Sequence, residues 1–482
     1  MMKKLQLFPV LFTVILICHA SATLMAQTQT DKSRLAGNWA GKLKIQTTEL
    51  RLVMNISVNA GDSLIITLDS PDQGASNLPT SKTILNGDSL SVFLKSIGGK
   101  FIGKIDPDVK VINGFWKQGG MSLPLILTRQ DSKITINRPQ EPKPPFPYQS
   151  LEVKIPNVAA KIELAGTLTM PEGSGKFPAA ILITGSGPQN RDEELMGHKP
   201  FLVIADFLTR QGFAVLRYDD RGVGQSTGDF KSATSFDFAT DAYAAVQFLK
   251  TRPEIDSVKI GLIGHSEGGI IAPIVASQHP EVAFVVLLAG PGLTGEQILL
   301  LQEALIAKAE GSDDKSIREN DKLSRDIYAA LKKNPDNDKA ALKITKIITD
   351  FNKKHASDTS YRQLTDNEIT AQVSSLTSPW FRCFLTCNPE AYLTRVKCPL
   401  LALNGSLDLQ VPSKENLQAI EKALIFGGNS TYMIEELPGL NHLFQTATTG
   451  SPAEYAKIEE TISPAALDLI GKWLQKNVLL KR

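Results

Sequence analysis

The chain has 482 residues, too many for one domain and comfortable for two or three. Its hydrophobic content of 42% and charged content of 21% are those of an ordinary globular protein. A net charge of +2, with no basic cluster interleaved with aromatics, argues against nucleic acid or an anionic surface as a partner.

The N-terminus has the pattern of an export signal over residues 1–26. Lys3 and Lys4 supply a positive end, Leu5 to Cys18 an apolar stretch, and Ala20-Ser21-Ala22 a small-residue cleavage site, with Ala26 as a second choice. The apolar run is too short for a comfortable membrane span, and Ile17 is not the small residue that a lipoprotein site needs before Cys18. The expectation is an exported protein, periplasmic or secreted, without stable membrane insertion. Once Cys18 leaves with the signal, Cys383, Cys387 and Cys398 remain. Cys383 and Cys387 have poor spacing for a disulfide on a helix and read as small buried hydrophobes, although the sequence leaves open whether any pair oxidises. A zinc site lacks its second pair of ligands, and no cofactor is called for.

Residues 31–135 show no helical period. Short alternating segments such as Trp39 to Ile45, Leu50 to Val58, Ser89 to Leu94 and Lys100 to Ile105 are separated by turns such as Asn86-Gly87-Asp88. This predicts a small antiparallel all-β domain, sandwich or barrel. Residues 136–150 are rich in proline and read as an extended linker, a domain boundary. From Leu151 strands alternate with helices, which predicts a mostly parallel, doubly wound α/β sheet, with residues 151–292 its first part. Residues 293–395 turn charged, polar and helical, with helices at Gln297 to Ala309 and Asp321 to Lys333. An insertion of that kind between two strands must lie at one end of the sheet, where a cap over a site would sit. Residues 396–482 return to the sheet with strands at Leu400 to Leu403 and Tyr432 to Leu437 and a last helix from Ala465.

Chemistry concentrates at Gly264-His265-Ser266-Glu267-Gly268, between an apolar strand and a buried helix. A Gly-x-Ser-x-Gly in that setting is a nucleophile elbow, whose sharp turn lifts a serine hydroxyl off the sheet. Such a serine needs a base, and the base needs a carboxylate to fix its tautomer. Asp408 follows the strand Leu400 to Leu403 at the edge where open α/β sheets place their sites. His442 lies in a loop after the last strand and is the best base, with His198 in reserve; His265 should point away along the elbow. For an oxyanion hole, the loop Gly185-Ser186-Gly187-Pro188 offers the backbone N–H of Ser186 or Gly187, and Glu267 supplies the N–H after the nucleophile.

In the order Ser266, Asp408, His442, and in its strand pattern, the chain resembles the α/β-hydrolase superfamily. The likeness is to the esterase and serine-aminopeptidase-like branch, related to dienelactone hydrolases and prolyl oligopeptidase catalytic domains. Asp219-Asp220-Arg221-Gly222-Val223-Gly224-Gln225-Ser226 is similar to a loop this superfamily carries after its fourth strand. There its glycines make the turn and its arginine ties down neighbouring loops. Thr184-Gly185 departs from the His-Gly of many relatives. The resemblance implies a serine hydrolase that cleaves small carboxylic esters through an acyl-enzyme. The alternatives are an aminopeptidase acting on short peptides and, from another class, a lipid- or glycan-binding protein carrying a degenerate hydrolase. Natural substrate, acyl length, the role of the β-domain and oligomeric state are not legible in the sequence.

Overall fold

The computed structural model describes residues 32–45, 48–71, 75–131, 137–358 and 361–480, so the expected signal over 1–26 lies outside the described residues. The chain divides into two compact units, one of Met1–Asp69 with Asn77–Ile134 and one of Ser70–Ser76 with Thr135–Arg482.

The first unit opens with a single turn, α1 (Lys32–Leu35), and continues as β1 (Gly37–Ile45), β2 (Thr48–Val58), β3 (Leu64–Ser70), β4 (Ala75–Pro79), β5 (Lys82–Asn86), β6 (Ser89–Leu94), β7 (Gly99–Ile105), β8 (Val111–Gln118) and β9 (Met121–Gln130). The sheet order is β4-β3-β2-β1-β9-β8-β7-β6-β5, built from antiparallel pairs. Period-2 alternation decides which face is buried: in β6, Leu90, Val92 and Leu94 are buried while the residues between them are half-exposed. Their buried side chains join Trp39, Phe101, Ile112 and Leu127 in one cluster, around which the sheet curls as a half-barrel. Trp39 satisfies its buried indole N–H on the Leu35 carbonyl, 2.9 Å away. Strands β4 and β5 had no counterpart in the sequence reading, because neither carries an apolar run.

The second unit is an eight-stranded sheet with helices on both faces. Its strands are β10 (Tyr148–Asn157), β11 (Ile162–Pro171), β12 (Phe177–Ile183), β13 (Ala214–Tyr218), β14 (Ile255–His265), β15 (Val285–Leu288), β16 (Leu400–Gly405) and β17 (Tyr432–Leu437). The order is β10-β11-β13-β12-β14-β15-β16-β17, antiparallel at the β10 edge and parallel from β13 onward. Alternation within β12 sends Ala179, Ile181 and Ile183 to one face and Ala180 and Leu182 to the other. The first face is covered by α3 (Ser235–Lys250), α4 (Gly268–Gln278) and α11 (Ser413–Phe426), and the second by α2 (Pro200–Arg210) and α12 (Pro464–Leu474). This is the doubly wound arrangement expected from the βα alternation, and it is the α/β-hydrolase fold.

Between β15 and β16 the chain leaves the sheet for α5 (Gly295–Ala309), α6 (Asp314–Lys333), α7 (Asn337–Lys354), α8 (Asp366–Leu376), α9 (Pro379–Thr386) and α10 (Glu390–Leu393). Capping boxes start α5 at Thr294/Gln297 and α8 at Thr365/Glu368. The insertion has an apolar cluster of its own, centred on Ile327, Leu331, Ile344, Ile348, Val373 and Leu385. Among the described residues no helix is long and apolar enough to cross a membrane.

The proline-rich stretch is no free tether. The guanidinium of buried Arg138 donates to the carbonyls of Gly197, Met196, Ile458 and Ala456 at 2.6–3.1 Å. Gln140 donates to the Ile462 carbonyl and accepts from the Thr461 N–H. The stretch from 137 onward is therefore stitched to the second unit.

Candidate active site

β14 ends at His265 and α4 begins at Gly268, which leaves Ser266 and Glu267 to make the whole reversal. The glycines are required by space: a Cβ on Gly264 would lie 2.0 Å from the Gly268 carbonyl oxygen, and one on Gly268 would lie 2.2 Å from that of Ile183. Ser266 sits at φ 51°, a left-handed conformation that costs a non-glycine residue about 1–2 kcal/mol. The turn is held by the Ser266 N–H on the Leu288 carbonyl at 2.9 Å and by the Gly269 N–H on the Ser266 carbonyl at 2.8 Å.

Asp408 and His442 are brought together. Asp408 lies just past the end of β16, and its Oδ1 accepts the N–H groups of Gln410 and Val411, both at 2.8 Å. That leaves Oδ2 for His442 Nδ1, also at 2.8 Å, with both side chains buried. A carboxylate there fixes the tautomer with the proton on Nδ1 and leaves Nε2 as the basic nitrogen. The two loops are zipped to each other: the N–H groups of Ser406 and Leu407 donate to the carbonyls of Leu437 and Leu440. The Asn441 side chain folds the His442 turn by accepting the N–H groups of Leu443 and Gln445 at 3.0 Å.

The loop after β12 runs beside the serine, since a Cβ on Gly185 would be 3.2 Å from Ser266 Cβ. The Gly185 N–H is spent on Glu193 Oε1 at 2.7 Å, and Pro188 has none to offer. Among the described residues no protein group pairs with the backbone N–H of Ser186, Gly187 or Glu267. These are the three donors expected from the sequence, and the two loops leave them free.

The remaining histidines have other partners. The ring of buried His198 lies against the Thr461 hydroxyl, the Tyr455 carbonyl and the Gln445 amide. Burial pulls its pKa down to about 4, which keeps it neutral. His279 stacks on Tyr243, and His355 packs among Phe351 and Tyr361 in the insertion. His265 has Glu193 Oε1 2.9 Å from its Nδ1.

Sequence reasoning missed two groups. One is the run Arg191-Asp192-Glu193, whose three charged side chains take four partners: Asp219 and Glu152 for Arg191, Arg217 for Asp192, and His265 for Glu193. The other is Trp380 on α9, whose indole N–H bonds the side-chain carboxylate of Glu267, which also accepts the Ser235 hydroxyl at 2.6 Å. Burial raises the Glu267 carboxyl above its ordinary range, and these two donors oppose the rise. In the loop 219–226 Arg221 ties down a helix rather than the neighbouring loops expected: it forks onto Asp241 of α3 at 2.7 and 2.9 Å. Among the described residues the three cysteines are free thiols, Cys387 buried and Cys383 and Cys398 half-buried.

Residues 199–338 match the family described as serine aminopeptidase, S33. Esterase EstD of Thermotoga maritima is 25% identical over 314 residues, covering 65% of this chain and 66% of that protein. An uncharacterized 31.7 kDa protein of the traX-finO intergenic region of Escherichia coli is 30% identical over 125 residues, 26% of this chain and 41% of that protein. The chain thus spans less than two thirds of either relative. Among solved structures, the Pyrococcus furiosus esterase Pf2001 aligns at 18% identity with a TM-score of 0.40, over 69% of this chain and 94% of that one. The chain is thus similar to the serine aminopeptidase, S33 family over residues 199–338 and to an esterase over 314 residues, and its strand order and elbow are those of the α/β-hydrolase fold.

Proposed function

We propose that this chain is a serine hydrolase that cleaves small carboxylic esters through an acyl-enzyme on Ser266. The observation that carries the reading is the buried His442 Nδ1–Asp408 Oδ2 bond of 2.8 Å on the loops beside a left-handed Ser266. In the proposed reaction His442 Nε2 takes the Ser266 proton as Oγ attacks the ester carbonyl. Asp408 stabilises the imidazolium that forms. The negative oxygen of the tetrahedral intermediate is received by the free N–H groups of Glu267 and of Ser186 or Gly187. His442 then protonates the leaving alcohol, and a water activated by His442 releases the acid and restores Ser266.

Esters are favoured by the similarity to EstD, whose name is that of an esterase. The second reading, an aminopeptidase, rests on the description of the family that residues 199–338 match. The bond from Trp380 to Glu267 supports reading the helical insertion as a cap over the site. Lys3, Lys4 and the apolar stretch behind them support export.

A fluorophosphonate probe tests the mechanism. The folded protein should be labelled and Ser266→Ala should not; equal labelling of the two, or none of either, would sink the proposal. Rates on nitrophenyl esters against aminoacyl nitroanilides then decide the bond, and a strong preference for the anilides would replace esterase by peptidase.

A further inference from the structure

Glu193 is the third of four consecutive charged residues in a turn folded by Asn190, whose side-chain oxygen accepts the N–H groups of Asp192 and Glu194. It is 3% exposed and sits at φ 50°, so the chain accepts a strained backbone there to aim one carboxylate inward. Its Oε1 receives two groups, the Gly185 N–H at 2.7 Å and His265 Nδ1 at 2.9 Å. The other side of the same ring, Nε2, lies 3.0 Å from the backbone carbonyl oxygen of His442. Glu193 Oε2 is buried with no partner.

Both nitrogens of His265 thus face oxygen acceptors. A neutral imidazole has one N–H and can satisfy only one of them. The pair must hold one more proton than a neutral imidazole beside a carboxylate, which makes His265 an imidazolium or Glu193 an acid. Burial works against the imidazolium, but the charge of Glu193 and the bond to it outweigh burial and lift the His265 pKa above its ordinary value. The groups facing the pair are Asp408 and the His442 ring, centred 4.9 Å from that of His265, and Asp220, which feels the charge of Glu193. Of these, the charge of Asp408 favours a cation at His265.

We infer that Glu193 and His265 form a second buried acid–imidazole pair whose two outward bonds set the oxyanion loop and the base loop in register with Ser266. Glu193 fixes Gly185, one residue before the Ser186 donor, and His265 fixes the backbone of His442. The residue between the two bonds and the nucleophile are chain neighbours, so all three parts of the site share one reference. Neither residue touches the reacting atoms; both are positioning residues. The inference rests on the serine-hydrolase reading for its effect on rate, but not for the protonation of the pair.

The test is Glu193→Gln in the full chain. The amide keeps the shape but not the charge, so His265 loses its extra proton and one of the two bonds. A misplacement of this kind should lower kcat about 10- to 100-fold with KM little changed. Imidazole ¹⁵N NMR should show His265 doubly protonated in wild type at neutral pH and singly protonated in Glu193→Gln. If Glu193→Gln does not fold, Glu193→Asp keeps the charge and should keep His265 doubly protonated while still lowering kcat. A wild-type protein that is labelled by fluorophosphonate while Glu193→Gln matches its kcat at every pH would overturn the inference, as would a neutral His265 in wild type. An unlabelled wild type would instead overturn the hydrolase reading and leave the NMR result to decide the pair.

Discussion

Trp380 donates its indole N–H to both carboxylate oxygens of Glu267, at 2.9 and 3.0 Å. One helix of the insertion is thereby tied to the residue that follows Ser266. Trp380→Phe keeps the ring and removes the donor, leaving a buried carboxylate with the Ser235 hydroxyl. The expected loss is about 1–3 kcal/mol of stability, read from urea unfolding. It should come with a several-fold fall in kcat/KM on a nitrophenyl ester, because the same residue carries a proposed oxyanion donor. Unchanged stability would show that the bond carries no weight.

Asp220 gives a pH dependence with a definite sign. Burial pushes its carboxyl from the ordinary 3.8 up to about 8; the Gln189 N–H and Thr184 hydroxyl oppose this, and the charges of Glu267 and Glu193 add to it. A folded pKa above the unfolded one means stability that is full below the unfolded value and lost as pH rises through the folded one. Glu267 and His265 are shifted the same way. Between roughly pH 5 and pH 8 the protein should lose about 1–3 kcal/mol, and Asp220→Asn should flatten part of that slope. Parallel slopes for the two proteins would refute the assignment.

Two glycine substitutions separate folding from chemistry. Gly264→Ala puts a Cβ 2.0 Å from a backbone oxygen and should cost more than about 3 kcal/mol, leaving little folded protein. Gly185→Ala meets Ser266 Cβ at 3.2 Å and Glu193 Oε1 at 3.3 Å, contacts that a slight shift relieves. It should fold with a melting temperature near that of wild type and lose activity about tenfold. Thermal unfolding and ester turnover check both.

Asp408→Asn tests the base through its partner. The amide can still accept the N–H groups of Gln410 and Val411 but offers His442 the wrong tautomer. The expected drop in kcat is about 10⁴, with KM within a few-fold. A drop under about tenfold would remove Asp408 from the proposed machinery.

Much of this arrangement is readable along the chain because its parts are local. Ser266 announces itself by a strand, a glycine-flanked turn and a helix in direct succession, and Asp408 and His442 each follow a strand end. Glu193 does not. It lies in Asn190-Arg191-Asp192-Glu193-Glu194, a charged loop that reads as solvated, and its partner His265 is 72 residues away. Only the closing of the sheet buries it. Trp380 escaped for the same reason: it meets Glu267 across 113 residues and sits in an insertion whose helices show their period but not their docking. In the first unit, Ala75–Pro79 and Lys82–Asn86 are strands by virtue of pairing with neighbours rather than by an apolar run of their own.

Arg138 has a consequence for how such chains can be recombined. Its guanidinium clasps carbonyls on two segments more than two hundred and fifty residues apart, near 196 and near 458. The prolines that follow look like the natural seam, yet a splice made there would discard the clasp and expose four carbonyls that the fold has dried. An exchange of N-terminal modules would have to be made upstream of residue 137, within a stretch that carries no proline until Pro124 is reached.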